Sequence, residues 1–204
     1  MDGFQYDGSQ IARYRAIELA GRVENVTIDA LEIQQILAQI AREQVVAAGF
    51  SEQIRVIVAD IRQLPGSLVA GSYDRVFANP PFFEQGKGRL PPDPVRAAAR
   101  FEQNGGLGDF IAGGHVLLQD GGVLHIIQRP ERRAELFSKL IAKGFAICRC
   151  VEVLARPGSA AVLVMVAAKK GPEQGREPQA EQIHLMDEDG QPVDYVQSLM
   201  VACR

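Results

Sequence analysis

Apolar residues in this chain fall into short runs, several of which stop at a single polar side chain. Val26–Glu32 (VTIDALE) ends on an acid and predicts a strand. In the segment that follows, IQQILAQIAREQVVAAGF, Ile33, Ile36, Leu37, Ile40 and Val45 recur at helical spacing, and Gly49 is placed to end the helix. Ile54–Ala59 (IRVIVA) is a second strand-like run closed by Asp60, and Tyr73–Ala78 (YDRVFA) a third closed by Asn79. Leu107–Leu118 and Pro130–Lys143 have helical character, the latter with proline in its first turn and Gly144 at its stop. Gly122–Gln128 (GVLHIIQ), between these two, predicts a buried strand, in which His125 reads as a core histidine rather than a catalytic base. Phe145–Leu154 and Ala160–Ala168 flank the turn-rich Arg156-Pro157-Gly158-Ser159 and read as an antiparallel pair.

Strands alternating with helices through the first two thirds imply an α/β fold, with a mostly parallel sheet covered on both faces and the antiparallel pair closing one edge. In doubly wound sheets ligands bind beyond the carboxyl ends of the strands. Glu32, Asp60 and Asn79 occupy such ends and are expected to line one crevice. Lys169–Glu181 is polar with proline and glycine and reads as a linker; from Ile183 a hairpin with a final helical turn is expected. The expected division is therefore a domain over residues 1–170 and a linker with a C-terminal tail over 171–204.

Composition narrows the class. At 204 residues, with 47% hydrophobic and 23% charged side chains, the chain suits one domain with a full core. A formal net charge of −3 argues against an extended basic surface while leaving room for a local basic patch. The longest strongly apolar stretch, Ala160–Ala168, is far short of the ~20 residues that span a bilayer, and no secretory signal pattern opens the chain, so no membrane partner is expected and the cytoplasm is. Cys148, Cys150 and Cys203 lack metal-ligand spacing and read as packed thiols; Cys148 and Cys150, two apart on a strand, are expected on the same face.

Asn79-Pro80-Pro81-Phe82, directly after a strand, carries the chemistry. Two prolines offer no N–H donors and hold the chain extended. The Asn79 side-chain oxygen and the Pro80 carbonyl can accept the two protons of an exocyclic amine, and Phe82 can stack on the attached ring. A rigid strand exit is the plainer reading of the same residues. Glu32 is placed for a ribose diol and Asp60 for an adenine amino group, as in nucleotide-binding α/β folds; either acid alone is also compatible with a helix N-cap.

On these motifs the segment from about Val26 to Lys170 resembles a Rossmann-like class I S-adenosylmethionine-dependent methyltransferase of the Asn-Pro-Pro-aromatic group. ALEIQ (Ala30–Gln34), ANPPFF (Ala78–Phe83), PPDP (Pro91–Pro94) and QRPERR (Gln128–Arg133) make it most similar to the tRNA(Val) adenine-37 N6-methyltransferase family. The resemblance implies S-adenosylmethionine as cofactor, with Glu32 on its ribose and Asp60 on its adenine. It implies a tRNA substrate, whose target amine Asn79, Pro80, Pro81 and Phe82 would hold, and no metal. Lys87, Arg89, Arg129, Arg132 and Arg133 are candidate phosphate contacts, or else a solvated face.

The sequence departs from the family at its start. In the expected glycine-rich cofactor loop the acid is present as Asp7, but later glycine positions hold Ser9, Ile11 and Arg13, whose side chains should crowd the cofactor. Little sequence precedes that loop, so the first strand is expected to be incomplete and the chain slightly truncated. Two alternatives therefore stand beside tRNA adenine methylation. One is a catalytically silent module that binds RNA or protein; the other is N-methylation of an rRNA guanine or a protein glutamine.

Overall fold

The run that closes on Glu32 forms strand β1 (Ile28–Glu32), and the amphipathic segment after it forms helix α1 (Gln35–Ala47). A computed structural model describes residues 16–17, 19–23, 25–82, 105–172 and 178–187. By packing, residues 1–66 and 81–106 make one unit and residues 67–80 and 107–204 another.

In the first unit β1 pairs in parallel with β2 (Ile54–Val58), in a register from Ile28 opposite Ile54 to Glu32 opposite Val58. A parallel pair needs a crossover, which α1 supplies. The helix buries Leu37, Ala38, Ala41 and Val45, a row turned from the expected one: Leu37 and Val45 belong to both, but Ile36 and Ile40 are exposed and alanines take the inner positions. Ala38, Ala41 and Val45 form a small core with Ile54, Val56 and Ala20, the last from helical residues 19–22 that the apolar pattern does not single out. At the helix end Gly49 takes φ 78°, its N–H donating to the Val46 carbonyl and that of Phe50 to the Val45 carbonyl. Such a double closure needs a left-handed residue, so the glycine is placed as the sequence predicts.

The second unit contains β3 (Tyr73–Ala78), α2 (Leu107–Leu117), β4 (Leu118–Gln128), a 3-10 turn (Pro130–Arg132), α3 (Arg133–Ala142), β5 (Phe145–Leu154), β6 (Ala161–Lys170) and β7 (Ala180–His184). Its sheet has the order β3-β4-β6-β5-β7. β3 and β4 are parallel, as are β5 and β7, while β6 runs antiparallel to both its neighbours. With β1–β2 of the first unit, three of the five strand pairings among the described residues are parallel, and the late antiparallel pair is present. α2 and α3 bring Leu107, Ile111, Leu136 and Leu140 onto one sheet face, against Leu124, Ile126, Phe145 and Val166. Gly122 begins the apolar part of β4 because a Cβ there would meet the carbonyl oxygens of Tyr73 and Gln119 at 3.0 Å each.

Two features differ from expectation or extend it. Cys148 is exposed whereas Cys150 is fully buried, so the two do not share a face. Ile147 faces Ala168 and Arg149 faces Ala167, which leaves Cys148 as the extra residue of a β-bulge that inverts the alternation. The hairpin expected from Ile183 falls mostly outside the described residues; Ile183 and His184 belong to β7, whose Glu181 takes a bidentate bond from Arg149 at 2.6 and 3.0 Å.

His125, on β4, stacks on Phe77 of β3 with ring centroids 4.6 Å apart and planes 12° from parallel. Arg75 Nη1 lies 3.2 Å from its Nε2, which must accept and so carries no proton. Burial, aided by the positive Arg75 and Arg149, pushes its pKa from 6.5 down to about 4. Between these values the unfolded chain takes up a proton here and the folded chain does not, so stability falls as pH drops through the window and levels off below it. Urea titrations from pH 7.5 to 4 are expected to show this contribution as a loss on the order of 2–3 kcal/mol. His125→Asn should flatten the profile; an unchanged slope would place the titration elsewhere.

Candidate active site

Parallel strands point their carboxyl ends the same way, and polar residues cluster at these ends in both units. In the second unit β3 stops at Ala78 and is followed by Asn79 and buried Pro80. The Asn79 side chain lies where its Oδ1 is shielded from solvent and has no hydrogen-bond partner among the described residues. A buried acceptor left unmet costs about 1–3 kcal/mol, so one that persists marks a place prepared for a donor. Pro81 and Phe82 continue the chain, both half-buried, and are grouped by packing with the first unit.

On the strand beside β3, β4 ends at Gln128, which is completely buried. Its Oε1 accepts from the Arg129 N–H at 2.9 Å, while its Nε2 has no partner among the described residues. Sequence reading passes over this residue as one letter of QRPERR. The available signal was its place in GVLHIIQ, a polar side chain ending an otherwise buried strand.

In the first unit Glu32 is the last residue of β1 and Asp60 lies two residues past the end of the adjacent parallel β2. Glu32 Oε1 accepts from the Gln34 N–H at 2.9 Å, the turn-capping role open to a strand-end acid, and Oε2 makes no hydrogen bond among the described residues. Asp60 is engaged more fully. Its Oδ1 accepts from the Arg62 backbone N–H and from Nε, both at 2.9 Å, and its Oδ2 from Nη2 at 2.6 Å. Those bonds hold the Asp60 carboxyl below its ordinary pKa, and an amino group would have to share the carboxylate with the guanidinium.

Each arginine of QRPERR already has a carboxylate partner. Arg129 meets Glu131 at 3.1 Å with both side chains well exposed, a pair of little energetic weight. Arg132, only 12% exposed, is held by Glu135 at 2.8 Å. Arg133 bonds Glu152 at 3.2 Å and lies 5.1 Å from the centre of the Phe137 ring. Asp7, Lys87 and Arg89 lie outside the described residues. No helix among the described residues is long and apolar enough to cross a membrane.

The mostly parallel α/β architecture, with its late antiparallel strand, is that of the class I methyltransferases. The crystal structure of a predicted O-methyltransferase from Agrobacterium tumefaciens matches 92% of this chain and 83% of its own at a TM-score of 0.65 and 21% identity, a likeness of fold. No family model matches the chain. A tRNA1(Val) (adenine(37)-N6)-methyltransferase of Tolumonas auensis is 30% identical over 165 residues, 80% of this chain and 67% of that protein. The enzyme of the same name from Cronobacter sakazakii is 29% identical over 76% of this chain and 62% of its own length. The chain belongs to the tRNA1(Val) (adenine(37)-N6)-methyltransferase family, and spans about two thirds of the length of these two relatives.

Proposed function

We propose that this chain transfers a methyl group from S-adenosylmethionine to the N6 amine of an adenine in tRNA, adenine 37 of tRNA1(Val) being the position for which its relatives are named. The observation that carries the reading is Oδ1 of Asn79, buried at the carboxyl end of β3 without a partner among the described residues. With the Pro80 carbonyl it offers two acceptors to the two protons of an aromatic amine. Held so, the nitrogen lone pair turns out of the ring's conjugation toward the electrophile, and Phe82 supplies an aromatic face for the base. The bound cofactor would contribute an electrophilic methyl on a sulfonium. Transfer would exchange the cofactor's C–S bond for an N–C bond and release one amine proton to solvent, while Asn79 Oδ1 and the Pro80 carbonyl would hold the amine in place. Catalysis of this kind is positional and needs no covalent bond to the enzyme.

Glu32 fits the cofactor's ribose, because Oε1 steadies the turn while Oε2 has no hydrogen bond among the described residues. Asp60 would hold the adenine amino group alongside Arg62, and Asp7 is the candidate for the methionine part. Of the arginines, Arg129 and Arg133 are better suited to RNA phosphate than Arg132, whose side chain is largely covered. The same reading places the protein in the cytoplasm, where tRNA is met.

Incubating the chain with labelled S-adenosylmethionine and unmodified tRNA tests the proposal, and transfer to adenine N6 is the expected result. Absence of both transfer and calorimetric cofactor binding would leave a silent binding module as the reading. Transfer to guanine or to a glutamine amide would move the substrate. Glu32→Ala is expected to weaken cofactor binding about 10-fold or more by removing charge-assisted bonds to the diol. An unchanged Kd would remove Glu32 from the site.

A further inference from the structure

β3 keeps one large apolar side chain in solvent. Phe77 is 53% exposed, although Val76 and Ala78 on either side of it pack into the core with α2 and α3. Residues opposite one another in a ladder share a sheet face. Phe77 lies opposite His125 on β4, and His125 is followed across Ala167 of β6 by Arg149 of β5, one row on the face turned away from those helices. The next row on that face holds Arg75 and, across Val123, Lys169. His125 covers one side of the Phe77 ring, with centroids 4.6 Å apart and planes 12° from parallel. β3 ends the sheet among the described residues, so the uncovered side of the ring is the one turned away from β4.

The charges on this face do not balance. Arg149 is engaged by Glu181 at 2.6 Å, whereas Arg75 and Lys169, both exposed, make no ion pair among the described residues. Arg75 gives one N–H to His125 Nε2 at 3.2 Å, which leaves the rest of its guanidinium for an anion. An aromatic ring with an open face beside cations that lack carboxylates suits an unpaired stretch of nucleic acid: the ring stacks a base and the cations meet the flanking phosphates. A second copy of the chain fits less well, because it would cover both cations without supplying opposite charge. We propose that this face of β3, β4 and β6 is an RNA-docking surface, on which Phe77 stacks an unpaired base of the tRNA while Arg75 and Lys169 meet its phosphates. The inference rests on the reading of tRNA as the substrate. Phe77 stands only two residues before Asn79, so RNA held here continues toward the proposed site of transfer. The ring is already fixed against His125, and little side-chain freedom is lost when a base extends the stack.

The chain contains no tryptophan, so the Phe77→Trp variant carries a single indole reporter at the proposed contact. Unmodified tRNA1(Val) transcript is titrated without cofactor, and binding is followed both by the anisotropy of a dye on the RNA and by indole emission. Stacking is expected to quench the indole with the same midpoint as the anisotropy. In the otherwise unaltered chain Phe77→Leu is expected to weaken binding about 10-fold with little change in melting temperature. Arg75→Gln and Lys169→Gln should each reduce the slope of log affinity against log salt by about 0.7. Indole emission that stays constant while the anisotropy saturates would overturn the proposal, as would an unaltered Kd for Phe77→Leu or a wild-type chain that does not bind the transcript. Emission that changes with protein concentration before RNA is added would assign the face to a second copy and overturn it equally. None of these readouts needs methyl transfer. A chain that binds and is quenched but transfers no methyl group would overturn the parent reading alone, and one that transfers with its indole unquenched would overturn this one alone.

Discussion

Asn79→Ala is expected to reduce methyl transfer by about 10²- to 10³-fold while leaving thermal stability at or slightly above that of the unaltered chain. The two halves of this result have one origin. Oδ1 of Asn79 is buried and makes no hydrogen bond among the described residues, so its removal breaks nothing in the folded state and relieves the desolvation of an unmet acceptor. In the reacting complex the same atom would hold one amine proton, and loss of a single preorganised hydrogen bond in a dry site typically costs that much in rate. Single-turnover transfer at saturating cofactor measures the first half and a thermal melt the second. Activity within 10-fold of wild type would show that the acceptor is not used; a large fall in melting temperature would show that it has a structural partner.

The largest effect on stability is expected at Phe145. This side chain is 1% exposed at the start of β5, within the cluster formed by α2, α3 and the sheet, and it meets His115 edge-on at 5.5 Å. Neighbours drawn from several elements cannot all collapse into the space left by a phenyl ring. Phe145→Ala should therefore cost about 3–5 kcal/mol, a fall in melting temperature of roughly 10 °C. Calorimetry of the variant checks this, and a loss under 1 kcal/mol would mean that the sheet and α3 close over the gap.

Why these two residues differ bears on how much of the molecule is legible in its sequence. The strands and helices emerge close to their apolar runs, and Gly49 and Gly144 end their helices with φ 78° and 88°, but the inner face of α1 is set by packing: Ile36 and Ile40 turn out exposed while Ala38 and Ala41 are buried. Asn79 could be singled out because two prolines follow it directly after a strand; that its Oδ1 is buried without a partner among the described residues is visible only in the structure. The pairing of Asp60 with Arg62, two residues on, is equally local and was available as an acid-x-arginine pattern. The Cys148 bulge was not, because it is set by the register of β5 against β6 rather than by β5 alone. Nor was the pairing of β7 with β5, which joins residues 30 apart in sequence through main-chain groups common to every amino acid. Gln128 lies between these cases: its polarity in an apolar strand is visible, but only the structure shows which end of its amide is already engaged.

β7 also has a bearing on how the protein survives in a crowded solution. β5 is ten residues long and largely buried, and β6 occupies only one of its two edges. A long apolar strand with an open edge is a template on which other chains polymerise. The five residues of β7 cover the stretch from Cys150 to Leu154, and Arg149 ties them down through Glu181, putting a short strand that carries charge on the outside of the sheet. The segment past Lys170 thus acts as a selvedge, and a chain cut there would keep every residue proposed for catalysis and lose its protection against aggregation.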